Sequence, residues 1–106
     1  MAPIEILQLI NDIHMKHYPE LNALSETLTP PLKKREIISL SYMYSELMHQ
    51  TNSKEKKQIY KLLTECYWTL LLSHNLDITQ DYDLHQKYLK GCKRILKLSK
   101  TLNLGD

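Results

Sequence analysis

The stretch that decides the fold is residues 53–74, which read SKEKKQIYKLLTECYWTLLLSH. At about 100° per residue, its apolar side chains repeat with the period of an α-helix and share one face. That face is formed by Ile59, Leu62, Leu63, Cys66, Tyr67 and Leu70. Asn52 stands just before the stretch and Glu55 follows three residues later, which is the spacing of a capping box. The stretch therefore predicts an amphipathic helix capped by Asn52.

A second apolar stripe lies near the N-terminus, where Pro3 suits the first position of a helix. The stripe continues through Ile13. A break is predicted at Pro19, because the residue before a proline resists the α conformation. Leucines at positions 21, 24 and 28 then follow at helical spacing. They predict a short extra helix over 21–28.

Two more helices are predicted, one over about 30–50 and one from 77 or 79 to about 102. The connections at 50–53 and 75–79 are short, and short connections make neighbouring helices antiparallel. The sequence thus predicts an all-α fold: an antiparallel four-helix bundle with a short extra helix between the first and second main helices. A chain of this length is expected to form one domain over 1–106.

The composition agrees with a helical protein in a reducing compartment. The chain of 106 residues has two glycines, too few for the turns of a β-rich domain. Its longest apolar stretch, residues 66–72, is far too short to cross a bilayer. The N-terminus lacks the basic segment of a signal peptide. Cys66 and Cys92 are therefore expected to be reduced thiols of a cytoplasmic protein.

Charge is distributed unevenly, although the net charge is only +2. Residues 1–32 carry four acids and one base, whereas residues 84–106 carry six bases and one acid. The bases of the last helix form a basic face, which consists of Lys87, Lys90, Lys93, Arg94, Lys97 and Lys100. One explanation is an anionic partner, such as nucleic acid, an acidic protein or a lipid surface. The other is a solvated face with the acidic N-terminal segment packed beside it as counter-charge.

Besides Met15 in the first helix, three apolar residues fall on the outward sides of their helices, away from the core stripes. They are Tyr42 in the helix over 30–50, and Trp68 and Leu72 in the helix over 53–74. Clustered aromatic side chains on a surface are typical of protein-binding sites. Alternatively, a helix surrounded by several neighbours is apolar all round, in which case these side chains are buried.

Gly91 interrupts the packing face of the last helix, where glycine costs about 1 kcal/mol relative to alanine. The position favours close approach of another helix or of a large ring such as Trp68 or Tyr67. A ligand pocket or a kink at Gly91 is the alternative.

The residues needed for catalysis or metal binding do not form a recognised set. His14 and His17 are one turn apart, yet zinc needs further ligands placed beside them. Cys66 and Cys92 fall on core stripes, where thiols are usually inert. A glycine-rich phosphate loop is missing. The sequence therefore predicts a non-enzymatic protein with no cofactor and no metal.

In length, bundle architecture and basic final helix, the chain resembles small bacterial immunity proteins and secretion chaperones, although it shares no motif with them. The outward-facing residues Tyr42, Trp68 and Leu72, together with the absence of a catalytic set, predict a small regulatory or adaptor protein that binds another protein or itself. Such a protein would act as an inhibitor, an immunity protein or a chaperone-like bundle. The alternative prediction is a nucleic-acid-binding regulator that uses the basic face.

Overall fold

The computed structural model of the chain describes residues 1–17, 20–21, 33–74 and 82–102. Those residues form four α-helices, which are α1 (Pro3–Lys16), α2 (Lys34–Gln50), α3 (Lys54–Ser73) and α4 (Tyr82–Thr101), and no β-strand. The predicted all-α class is confirmed for this part of the chain. None of these helices is long and apolar enough to cross a bilayer.

Local chemistry explains where two of the helices begin. α1 begins at Pro3, as predicted, since the missing N–H of proline needs no partner in the first turn. α3 begins one residue later than predicted, because Ser53 is its N-cap and Asn52 is not. The Ser53 hydroxyl accepts a hydrogen bond from the Lys56 N–H at 3.3 Å. The first turn therefore obtains its side-chain acceptor without Asn52.

Some predicted features fall outside the described residues. α1 ends ahead of the break predicted at Pro19, and Pro19 itself is not described. The short helix predicted over 21–28 lies outside the described residues, apart from Leu21, which is buried. The predicted start of the last helix at 77 or 79 lies outside them as well, and the described part of that helix begins at Tyr82.

The helices are organised around α3, which packs against α1, α2 and α4. No other pair of described helices approaches as closely at the backbone. Side chains from all four helices form one hydrophobic cluster, as the apolar stripes predicted. Its most buried members include Ile6, Ile10, Ile13, Ile37, Tyr44, Ile59, Leu62, Leu63, Cys66, Tyr67, Leu70, Cys92 and Ile95. Outside this cluster, α1, α2 and α4 also carry exposed residues.

Gly91 lets α4 come close to α3, which confirms the predicted close packing. A Cβ atom at Gly91 would collide with Oγ1 of Thr69 and would lie 3.1 Å from its Cγ2. The neighbour is Thr69, and not Trp68 or Tyr67 as the sequence suggested. Tyr67 is instead engaged on another side of α3, where it stacks on Tyr44 with ring centroids 5.7 Å apart.

Candidate functional site

An aromatic pair stands on the outer surface of α2 and α3. Tyr42 and Trp68 meet edge to face, with ring centroids 6.1 Å apart and ring planes inclined by 75°. Tyr42 is 61% exposed and Trp68 is 40% exposed. Edge-to-face contact is a favoured geometry, since the positive edge of one ring meets the negative face of the other. The structure thus brings together two of the three outward apolar residues identified in the sequence.

Leu72, the third of these residues, is partly buried and packs against the hydrophobic core. It lies one turn beyond Trp68, just as the half-buried Ile38 lies one turn before Tyr42. A helical wheel misplaces Leu72 because α3 has three neighbouring helices, which leave little of its circumference free. The exposed patch is therefore the aromatic pair, with Leu72 and Ile38 at its border.

The basic face is exposed along α4, and all six of its residues are turned to solvent. Arg94 donates from Nε to the Glu65 carboxylate of α3 at 3.0 Å. None of the five lysines forms an ion pair with another described residue. Among the described residues, Glu65 of α3 is the acid that pairs with this face.

A groove of about 210 Å³ lies beside that ion pair, between α3 and α4. It is lined by Lys61, Glu65, Arg94, Lys97 and Leu98. Three cations surround one carboxylate, so the groove carries surplus positive charge. The Glu65 contact uses Nε of Arg94 and leaves the Nη groups as donors. These donors suit the oxygens of a phosphate or carboxylate group.

A line of exposed apolar residues on α4 was not predicted from the sequence. Tyr82, Leu89 and Leu96 follow one another at intervals of seven residues, and they are 72%, 49% and 48% exposed. On the helix they lie between the buried stripe and two lysines of the basic face, Lys93 and Lys100. The seven-residue spacing was visible in the sequence. What it could not show was that α3 is the only described helix close to α4.

A polar aromatic cluster lies inside the core. The Tyr44 hydroxyl and Nε2 of His14 are 3.2 Å apart, and Tyr44 contacts Tyr60 and Tyr67 ring to ring. Burial, with a smaller contribution from Tyr60, raises the pKa of Tyr44 to about 12. Burial lowers the pKa of His14, so that its neutral form is favoured. Because burial favours the neutral forms of both groups, the cluster is an uncharged part of the core.

The histidines and cysteines considered from the sequence lie in the core. His14 and His17 are both buried. No group of three His, Cys, Asp or Glu side chains suited to a metal ion occurs among the residues that the structure describes. Cys66 and Cys92 are buried free thiols, and burial raises the pKa of Cys66 above its usual range. Its reactive thiolate form is therefore suppressed.

The surface thus offers three distinct features: the aromatic pair, the basic face and the apolar line of α4. The aromatic pair lies on α2 and α3, whereas the apolar line borders the basic face along α4. In comparisons with protein-family models, curated proteins and solved structures, the chain matched none of them.

Proposed function

We propose that this chain is a small non-enzymatic regulatory or adaptor protein that acts by binding another protein. The observation that carries the proposal is the exposed aromatic pair of Tyr42 and Trp68. Tryptophan and tyrosine dominate the residues that contribute most to binding at protein interfaces. In each ring, a large apolar area is linked to one polar group, which suits a surface that is wet when free and dry when bound.

The pair is also prearranged for binding. Its two rings already support each other across α2 and α3, at a centroid distance of 6.1 Å. Ordering loose side chains on binding costs about 0.5–1.5 kcal/mol for each flexible side chain, and this contact reduces that cost. Leu72 and Ile38 extend the apolar surface at its border, while Glu46 is exposed one turn further along α2. An apolar centre with a polar rim is the usual anatomy of an interface.

The same proposal includes the finer points that the described helices leave open. We propose that successive helices run antiparallel, and that the protein works in the cytoplasm as an inhibitor, an immunity protein or a chaperone-like bundle. Its binding function needs no cofactor. The partner is a second protein that presents an apolar pocket or ridge to the aromatic pair.

Affinity capture with matched variants tests the protein-binding proposal. Wild-type chain, Tyr42→Ala and Gln58→Ala are immobilised separately and exposed to a lysate of the source cells, and the retained proteins are compared. Gln58 is exposed on α3 nearly three turns before Trp68, so it serves as a control away from the pair. A partner should be retained by wild type and Gln58→Ala and lost from Tyr42→Ala. Equal retention by all three contradicts the proposed surface.

A second candidate function is nucleic-acid binding through the basic face. The five lysines without an ion pair to a described residue favour it, because phosphates are bound chiefly by unpaired cations. Fluorescence anisotropy with labelled DNA and RNA of mixed sequence tests it at about 50 mM and about 200 mM salt, since phosphate binding weakens steeply over that range. Binding that is lost in Lys90→Glu/Lys97→Glu supports this function, and absence of binding at the lower salt refutes it.

A further inference from the structure

The groove between α3 and α4 is lined by charged side chains of both helices and by one apolar side chain. Its lining consists of Lys61 and Glu65 of α3 and of Arg94, Lys97 and Leu98 of α4. Glu65 accepts from Nε of Arg94 at 3.0 Å, whereas neither Lys61 nor Lys97 forms an ion pair with another described residue. The groove therefore holds two ammonium groups beside a guanidinium whose Nη groups are left as donors.

The two walls of the groove are held close together by the contact at Gly91. Gly91 precedes Arg94 by three residues and Thr69 follows Glu65 by four, so the contact between Gly91 and Thr69 lies one turn away from the ion pair. Glu65 in turn orients the guanidinium, since it accepts from Nε and leaves the other side of the fork open. The guanidinium is thus arranged before any ligand arrives, which lowers the entropic cost of binding.

The charge of the groove matches a doubly charged anion. Three cations and one carboxylate leave a surplus of two positive charges. A phosphate monoester carries about −1.5 to −2 charges at pH 7, so it neutralises nearly all of this surplus. A carboxylate, or a phosphodiester of nucleic acid, carries a single negative charge and leaves about half of the surplus in place.

The size and the lining of the groove suit the same group. Its volume of about 210 Å³ lies below the roughly 300–1,000 Å³ of sites that hold drug-sized ligands, so it fits a small charged group with a short carbon part. The Nη groups of Arg94 can donate in parallel to two phosphate oxygens, as guanidinium groups commonly do. Leu98 is half-buried and offers an apolar wall to the carbon atoms next to the phosphate.

We propose that this groove is a binding site for a phosphate monoester. Arg94 binds two phosphate oxygens, Lys61 and Lys97 contact the phosphate from the two helices, and Leu98 packs against the carbon part of the ligand. Glu65 is a positioning residue that holds the guanidinium. A free organic phosphate and a phosphorylated protein side chain both carry this group. The site is separate from the aromatic pair, and its Lys61 is not part of the basic face.

An NMR titration of the isotope-labelled chain tests this proposal at about 50 mM salt, where exposed charges are weakly screened. The probes are phenyl phosphate, a phosphoserine peptide and dimethyl phosphate, which is a diester with one charge. We expect phenyl phosphate to shift the amide signals around the groove with a dissociation constant on the order of 1 mM, and the diester to bind about two- to fivefold more weakly. Tighter binding of the peptide than of phenyl phosphate supports a phosphorylated protein as the source, and the reverse supports a free organic phosphate.

Four variants make the test specific. Arg94→Lys keeps the charge but loses the fork, so it should weaken phenyl phosphate binding about tenfold. Lys61→Gln should weaken it about two- to fivefold, and Glu65→Gln should strengthen it by a similar factor, because it keeps an acceptor for Nε but removes the negative charge. The control Lys34→Gln removes the same charge from an exposed residue of α2, which does not line the groove, and should bind like the wild type.

Helical circular dichroism verifies that each variant is folded. Absence of amide shifts around the groove at about 10 mM phenyl phosphate, about tenfold above the expected dissociation constant, overturns the proposal. Weakening by Lys34→Gln equal to that by Lys61→Gln, or weakening by Glu65→Gln, overturns it as well, because the attraction would then not come from the groove. A diester that binds as tightly as phenyl phosphate also overturns it and favours nucleic-acid binding through the basic face.

Discussion

Replacing Gly91 with alanine tests the close contact between α3 and α4. In a free helix, alanine is about 1 kcal/mol more favourable than glycine. Here the added methyl would collide with Oγ1 of Thr69 and lie 3.1 Å from its Cγ2. Thr69 is 1% exposed, and close-packed neighbours leave a buried side chain little space to move away from the new methyl. Overpacking costs about 1–3 kcal/mol, so we expect a net loss of about 1 kcal/mol in the free energy of unfolding.

A double-mutant cycle isolates this contact. Thr69→Ala removes the two closest atoms, Oγ1 and Cγ2, and keeps Cβ, which would lie 3.3 Å from the new methyl. Gly91→Ala in that background should therefore stabilise the protein by up to about 1 kcal/mol, the helix-propensity gain. The coupling between the two positions is then about 2 kcal/mol, within the range seen for residues in contact. Thr69→Ser is the matched control, because it keeps the hydroxyl oxygen. Gly91→Ala should gain less in the serine background than in the alanine background.

The free energy of unfolding is measured by urea titration. The transition is monitored by helical circular dichroism and by the fluorescence of Trp68, the single tryptophan. The two signals should change together if unfolding is two-state. The reasoning is refuted if Gly91→Ala stabilises the wild-type chain by about 1 kcal/mol, the value for an unobstructed helix. It is equally refuted if the cycle shows no coupling, because the two side chains would then not be in contact.

Three further predictions concern the core. Burial lowers the pKa of His14 below its unfolded value of 6.5, so the unfolded state binds a proton more readily than the folded state. The free energy of unfolding should therefore fall as the pH drops through about 6.5, by at most about 1.4 kcal/mol per pH unit. Urea unfolding at several pH values should show a smaller loss in His14→Gln. Tyr88→Phe removes the hydrogen bond to the carbonyl of Met1 and should lower the free energy of unfolding by about 0.5–1.5 kcal/mol in the same assay. A urea midpoint equal to that of the wild type would show that this hydrogen bond does not stabilise the fold. The buried thiols of Cys66 and Cys92 should react with a disulfide reagent in denaturant far faster than in the folded protein, and rapid labelling of the folded chain would contradict their burial.

The periodicity of the sequence was sufficient to predict the helices and most of the core. A stripe such as Ile59, Leu62 and Cys66 has one interpretation, because side chains three and four residues apart must share a helix face. Gly91 likewise indicated a close approach, since few other reasons favour glycine within a helix. The cap of α3 was misplaced by one residue because Asn52 and Ser53 are both good caps, and the sequence alone does not choose between them.

The surface features depended on the tertiary structure. A helical wheel assigns one inward face to each helix, but the number of neighbours decides how much of the circumference is covered. α3 has three neighbouring helices, so Leu72 packs against the core. Leu89 and Leu96 of α4, which has a single close neighbour among the described helices, remain exposed.

The sequence by itself determined the all-α class, the apolar stripes and the concentration of positive charge on the last helix, because those properties follow from local spacing and composition. Only the tertiary structure decided that Tyr42 meets Trp68, that Thr69 is the neighbour of Gly91 and that Met1 lies beside Tyr88. The physical reason is that these contacts join residues on separate elements, whose relative positions depend on how all four helices share one core.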